Sequence, residues 1–146
     1  MLLISHRGNL KGPIPAKENH PSQILYCFEQ NYDVEIDVWF KDGNFYLGHD
    51  TPLYNTDIQF LSNTKLWCHA KNNDAFINLQ KHNIHCFWHQ TDTFTLTSKN
   101  YIWCYPGNLL ENGIIVLPET SSLTLLDIVK SGAAGICSDY ISEYKH

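Results

Sequence analysis

Glu35 and Asp37 are the residues whose type and spacing most directly invite chemistry. They sit in a stretch where Val34, Ile36 and Val38 alternate with Glu35, Asp37 and Trp39. That period of two predicts a strand, in which residues two apart share a face about 7 Å from each other. Two carboxylates on one face of an apolar strand repel each other and resist burial unless positive charge lies between them. A hard divalent cation meets that need, since Mg²⁺ and Ca²⁺ prefer oxygen ligands. The plainer alternative is a half-exposed strand with a polar outer face, and the flanking Val, Ile, Trp and Phe weigh against it.

Further reactive residues stand at the ends of apolar runs. Leu2-Leu3-Ile4 closes on Ser5-His6-Arg7-Gly8, and Phe45-Tyr46-Leu47 closes on Gly48-His49-Asp50. Imidazoles titrate near neutrality, so His6 and His49 suit a general acid–base pair, while Arg7 offers a planar donor fork for a phosphate. Arg7 is expected to lower the pKa of a neighbouring imidazole, and a nearby carboxylate to raise it. Leu66-Trp67-Cys68 closes on His69-Ala70-Lys71. The loop before Pro21 carries Glu18.

The elements that must position these residues follow a repeating form. Apolar runs at 2–4, 33–40, 66–68, 84–88, 101–104, 114–117 and 135–137 each end in polar, chemically capable residues. Strands covered on both faces read as continuous apolar runs, and β/α barrels and open α/β sheets place their sites at strand C-terminal ends. Helical patterns fit 21–30, 72–82 and 121–131, with a short amphipathic piece near Ile58, Phe60 and Leu61, and Asp42-Gly43-Asn44 reads as a hairpin turn. A complete (β/α)₈ domain needs roughly 200 residues or more. We therefore expect an α/β chain forming a trimmed, incomplete TIM-like barrel of about seven strands, with loops replacing some helices.

Composition narrows the function classes. The chain has 146 residues, 43% hydrophobic and 13% aromatic, and reads as a single domain over residues 1–146 with a packed core. A net charge of −5 with no Lys/Arg cluster supplies no field for nucleic acid, and no run is long enough for a membrane span. The N-terminus lacks a basic region and a cleavage site, so we expect no secretory leader. The five cysteines, odd in number, read as small core residues of a reduced, cytoplasmic protein. Cys68, His69, His82, His85, Cys86 and His89 also suggest a structural zinc site, although Cys68 and His69 would point to opposite faces of a strand. Trp88 to Asp92 and Tyr101 to Trp103 read either as pocket lining for a sugar or glycerol group or as aromatic core. Glu119 and Asp139 read equally as ligand contacts or loop caps.

Taken in order, His6-Arg7-Gly8, Glu18-Asn19, Glu35-Ile36-Asp37-Val38, Lys41-Asp42-Gly43 and His49-Asp50 resemble the motifs of glycerophosphodiester phosphodiesterases. Gly135-Ile136-Cys137-Ser138-Asp139-Tyr140 is similar to that family's final barrel strand. The resemblance is strong over 1–50, usable at 132–140 and weak between. It implies a β/α barrel, a divalent metal at Glu35 and Asp37 with Glu18 and His69 as further candidate ligands, and hydrolysis by His6 and His49 with Arg7 and Lys71 on the phosphate. His69-Ala70-Lys71 departs from the family's Glu-x-Lys, so Mn²⁺ or Zn²⁺ joins Mg²⁺ and Ca²⁺ as a candidate. The implied substrate is a small or polymeric phosphodiester of the glycerol- or sugar-phosphate type. Two alternatives stay open: a barrel that binds a phosphorylated sugar or lipid head group without cleaving it, and a lyase that stops at a cyclic phosphate.

Overall fold

Seven strands run parallel in the computed structural model, which describes residues 1–145: β1 (Leu2–His6), β2 (Asp33–Lys41), β5 (Leu66–Ala70), β6 (Cys86–Phe87), β8 (Ile102–Cys104), β9 (Gly113–Val116) and β10 (Gly135–Ser138). Three more strands, β3 (Asn44–Leu47), β4 (Tyr54–Thr56) and β7 (Phe94–Leu96), pair antiparallel, giving one mixed sheet of ten strands. The hairpin between β2 and β3 turns on Asp42 and Gly43, both at positive φ (51° and 80°), the pair of conformations a two-residue turn of matching twist requires. β2 is the branch point. One edge pairs with β5, while the other pairs with β1 near its start and with β3 near its end.

The expected TIM-like barrel is not what forms. The sheet is a curled half-barrel with, among the described residues, only four α-helices: α1 (Pro21–Glu29), α2 (Ile58–Leu61), α3 (Asn73–Lys81) and α4 (Leu125–Lys130). Its path ends at β6 on one side and β7 on the other, and among the described residues no ladder joins those two ends. The physical reason lies in the connections. Residues 88–101 fold back as β7 against β8 instead of forming a crossover helix, and residues 105–112 between β8 and β9 form no helix at all. Too few connections carry a helix to wall a closed ring.

The helices that exist are locally well specified. Pro21 opens α1, Asn72 caps α3 by accepting from Ala75 N–H, and Thr124 and Asp127 cap α4 reciprocally. Ile24 and Cys27 of α1, Ala75 and Leu79 of α3, and Ile128 of α4 pack on the convex side of the sheet in the main core. A second cluster fills the concave side: Ile4, Trp67, Phe87, Trp103, Ile114, Val116 and Cys137. Among the described residues no helix is long and apolar enough to cross a membrane. All five cysteines are free and buried.

Candidate functional site

The alternation that sends Ile4, Trp67 and Cys137 onto the concave side carries His6, His69 and Asp139, two residues further along each strand, onto the same side at its C-terminal end. Strand register then brings them together. His6 pairs with Glu35 across β1 and β2, and Asp37 pairs with His69 across β2 and β5. Ser5 pairs with Ser138, which sets Asp139 beside His6. A cavity of about 330 Å³ opens here, lined by His6, Arg7, Glu35, His49, His69 and His89 with Trp103 and Tyr105 as its aromatic wall.

At its floor Glu35, Asp37 and His69 form the one metal-competent group among the described residues, with candidate ligand atoms within 4.8 Å of one another. His69 Nε2–H donates to the His89 carbonyl at 2.8 Å, and Nδ1 lies 3.3 Å from Asp37 Oδ1 and 3.8 Å from Glu35 Oε1. An imidazole held through its other nitrogen by a backbone carbonyl is the usual posture of a metal ligand. Glu35 Oε2 and Asp37 Oδ1 are buried and accept no hydrogen bond. Four carboxylates (Glu18, Glu35, Asp37, Asp139) meet two permanent cations (Arg7, Lys71), so protons on imidazoles or a divalent cation must balance the remainder. The residues therefore fit a cation. The alternative zinc set does not assemble, because Cys68 and Cys86 are buried in the convex-side core while His69 lies on the concave side.

No family model, curated protein or solved structure matches this chain. The site must therefore be read from its own electrostatics. Burial works to raise the Asp37 carboxyl, but His69, Arg7 and Lys71 outweigh it and hold Asp37 below the ordinary carboxylate range. Glu35 goes the other way: burial, then the charge of Asp37, pushes it up against the pull of His6, Arg7 and His69. Burial disfavours the charged form of His6, yet the hydrogen bond to Asp139 (2.8 Å from Nδ1) and the charge of Glu35 prevail over burial and Arg7 and raise it. The carboxylates thus win over the arginine beside this imidazole.

Other expected residues take varied places. Arg7 Nε lies 3.1 Å from Asp37 Oδ2, and Lys71 Nζ 3.5 Å from Asp37 Oδ1. His49 is partly exposed, holds Asp50 through Nδ1 at 2.7 Å, and reaches the same cavity. Glu18 stands outside the metal-competent group, with Oε2 3.3 Å from Arg7 and Oε1 accepting from Asn9.

Two asparagines support the site. Asn19, at φ 59°, accepts from Asp37 N–H and donates to Asp37 Oδ2 at 2.9 Å, clamping that carboxylate at both ends. Asn9 bridges Glu18 and Asp139. Asn19 belongs to the Glu18-Asn19 motif already legible in the sequence, whereas Asn9 carries no signal beyond its place after His6-Arg7-Gly8.

Proposed function

We propose that this chain cleaves phosphodiesters, using His6 and His49 for proton transfer and a divalent cation held by Glu35, Asp37 and His69. The observation that carries this reading is the group Glu35, Asp37 and His69, whose candidate ligand atoms lie within 4.8 Å of one another, with Glu35 Oε2 and Asp37 Oδ1 buried and accepting no hydrogen bond, at a cavity lined by His6, Arg7, Glu35, His49 and His69. When bound, the cation supplies Lewis-acid charge for the phosphoryl oxygens. The imidazole in the ligand set favours Mn²⁺ or Zn²⁺ over Ca²⁺, with Mg²⁺ served by the two carboxylates.

The chain's own residues account for the rest. Arg7 and Lys71, at the rim of Asp37, bind the diester through its non-bridging oxygens. Asp139 accepts from His6 Nδ1–H, which fixes the tautomer and leaves Nε2 toward the cavity. Asp50 does the same for the ring of His49. One imidazole takes the proton of the attacking hydroxyl as the new P–O bond forms, and the other protonates the departing alkoxide as the old bond breaks.

The test is a screen of glycerol- and sugar-phosphate diesters with Mg²⁺, Mn²⁺, Zn²⁺ and Ca²⁺, read by phosphorus NMR. Metal-dependent turnover that a chelator removes is expected, and a cyclic product identifies the attacking group as the substrate's own hydroxyl. Binding without cleavage under every metal would replace this reading with an anion-binding site, which the cations already packed on Asp37 would favour.

A further inference from the structure

We infer that Glu119 is a positioning residue for His6, acting through Ser138 and Asp139. The inference rests on the proton-transfer role proposed for His6. β9 stops at Val116, and Leu117 turns the chain in a left-handed conformation (φ 45°, ψ 53°) that a branched side chain adopts only under constraint. That turn is pinned by Leu117 N–H donating to the Cys137 carbonyl at 2.8 Å, and it brings the short 3-10 turn Pro118–Thr120 over the end of β10.

Glu119 Oε1 there accepts from Asp139 N–H at 2.8 Å and from Ser138 Oγ at 3.0 Å. The Ser138 hydroxyl is fully buried and in turn accepts from Tyr140 N–H at 2.9 Å, so three successive residues of the turn hang from one carboxylate. The Asp139 side chain leaves that anchored peptide toward His6 Nδ1, and Asn9 Nδ2–H donates to the same Oδ1 at 2.8 Å.

Two local costs meet at this point. Besides the left-handed Leu117, Glu119 Oε2 is buried without a hydrogen-bond partner. Either cost would be released by a smaller, neutral cap and an ordinary turn. Both are borne where the peptide that aims the His6 partner is held. The carboxylate of Asp139 thereby keeps the imidazole in one tautomer, with Nε2 toward the cavity.

The test combines steady-state kinetics with the nitrogen NMR signature of the His6 tautomer in histidine-labelled protein. Glu119→Ala is expected to lower kcat by about 10–100-fold, the usual scale for a lost outer-shell partner, with little change in KM and a mixed His6 tautomer. Glu119→Gln keeps an acceptor oxygen at the same reach and is expected to restore the single tautomer and most of the turnover. A folded Glu119→Ala protein with the native tautomer and native kcat would overturn the inference and leave Glu119 as a turn cap. Should that variant not fold, Glu119→Asp retracts the acceptor by one methylene while keeping the charge, and a native tautomer there overturns the inference equally. If the native protein cleaves no diester, the tautomer readout still decides the role of Glu119, so the two failures are separable.

Discussion

The concave side of the sheet has two ends, built by the same strands and opposite in character. At the N-terminal end lies the larger cavity, about 560 Å³, lined by Asp33, Trp67, His85, Lys99 and Tyr101 among others. Its polar groups are spent on each other. Trp67 Nε1–H donates to Asp33 at 2.9 Å, His85 Nε2 meets Thr97 Oγ1 at 2.9 Å, and Lys99 donates to Asn83 at 2.8 Å. The C-terminal cavity is smaller, yet among the described residues every buried side-chain polar atom that makes no hydrogen bond belongs to Arg7, Glu35, Asp37, His89 or Glu119, at that end, where Arg7 Nε and Asp37 Oδ1 are held by ion pairs instead. The larger volume and the unmet polar groups lie at opposite ends. A buried polar atom without a hydrogen bond costs free energy that a well-packed fold does not ordinarily carry, and in this molecule that cost is concentrated at one end.

The largest expected effect tests that contrast at its reactive end. His6→Ala and His49→Ala are each expected to cut turnover by about 10²–10⁴-fold, the usual scale for a lost general acid or base. Substrate affinity should change far less, because Arg7 and Lys71 remain. Steady-state kinetics on the best diester from the screen makes the comparison, and native turnover in both variants would leave the two ends alike.

Next in size is the cation. Glu35→Gln combined with Asp37→Asn is expected to abolish the heat of divalent binding in titration calorimetry while the chain still folds. The native protein should gain about 2.7 kcal/mol of stability at a hundredfold excess of metal over its dissociation constant, and the double variant none. Equal stabilisation of both proteins would take the metal away from the acidic pair.

The smallest effect belongs to the N-terminal end and is one of stability alone. Burial, then the charge of Lys99, pushes His85 down from 6.5 to about 4. Between those values the unfolded ring binds a proton that the folded ring refuses, so stability falls as pH drops from 6.5 toward 4. His85→Gln is expected to flatten that part of the curve, seen as a smaller shift in urea midpoint between about pH 7 and about pH 4.5, with turnover at neutral pH unchanged. His6 is displaced the other way, so its contribution is present at low pH and lost as pH rises through its folded value. An unaltered curve for the His85 variant would mean that this cavity is not where acid sensitivity arises.

Local structure was largely legible in the chain. Period-two alternation sets Glu35 and Asp37 on one face of β2, the Asp42-Gly43 pair dictates its hairpin, and apolar spacing with caps marks α1 and α3. β7 was not legible, since Phe94-Thr95-Leu96 is short and exposed at both apolar positions and becomes a strand only because β8 offers it an edge. α4 came out shorter than its pattern because Pro118–Thr120 and the capping Thr124 hold the preceding chain in another conformation.

What the amino-acid order determined by itself is therefore the set of residues available to the concave face, through a periodicity that each strand carries alone. Which of them meet was decided only by tertiary structure. Parallel register placed Asp37 against His69 and His6 against Glu35, and the neighbouring β10 brought Asp139 from the far end of the chain to His6. The same level decided that the sheet stays a half-barrel, because closure depends on whether each connection folds as a crossover helix or turns back as a hairpin. No short stretch of sequence contains that outcome: register and closure are set by pairings between segments distant along the chain, whose free energy appears only when the whole sheet is assembled.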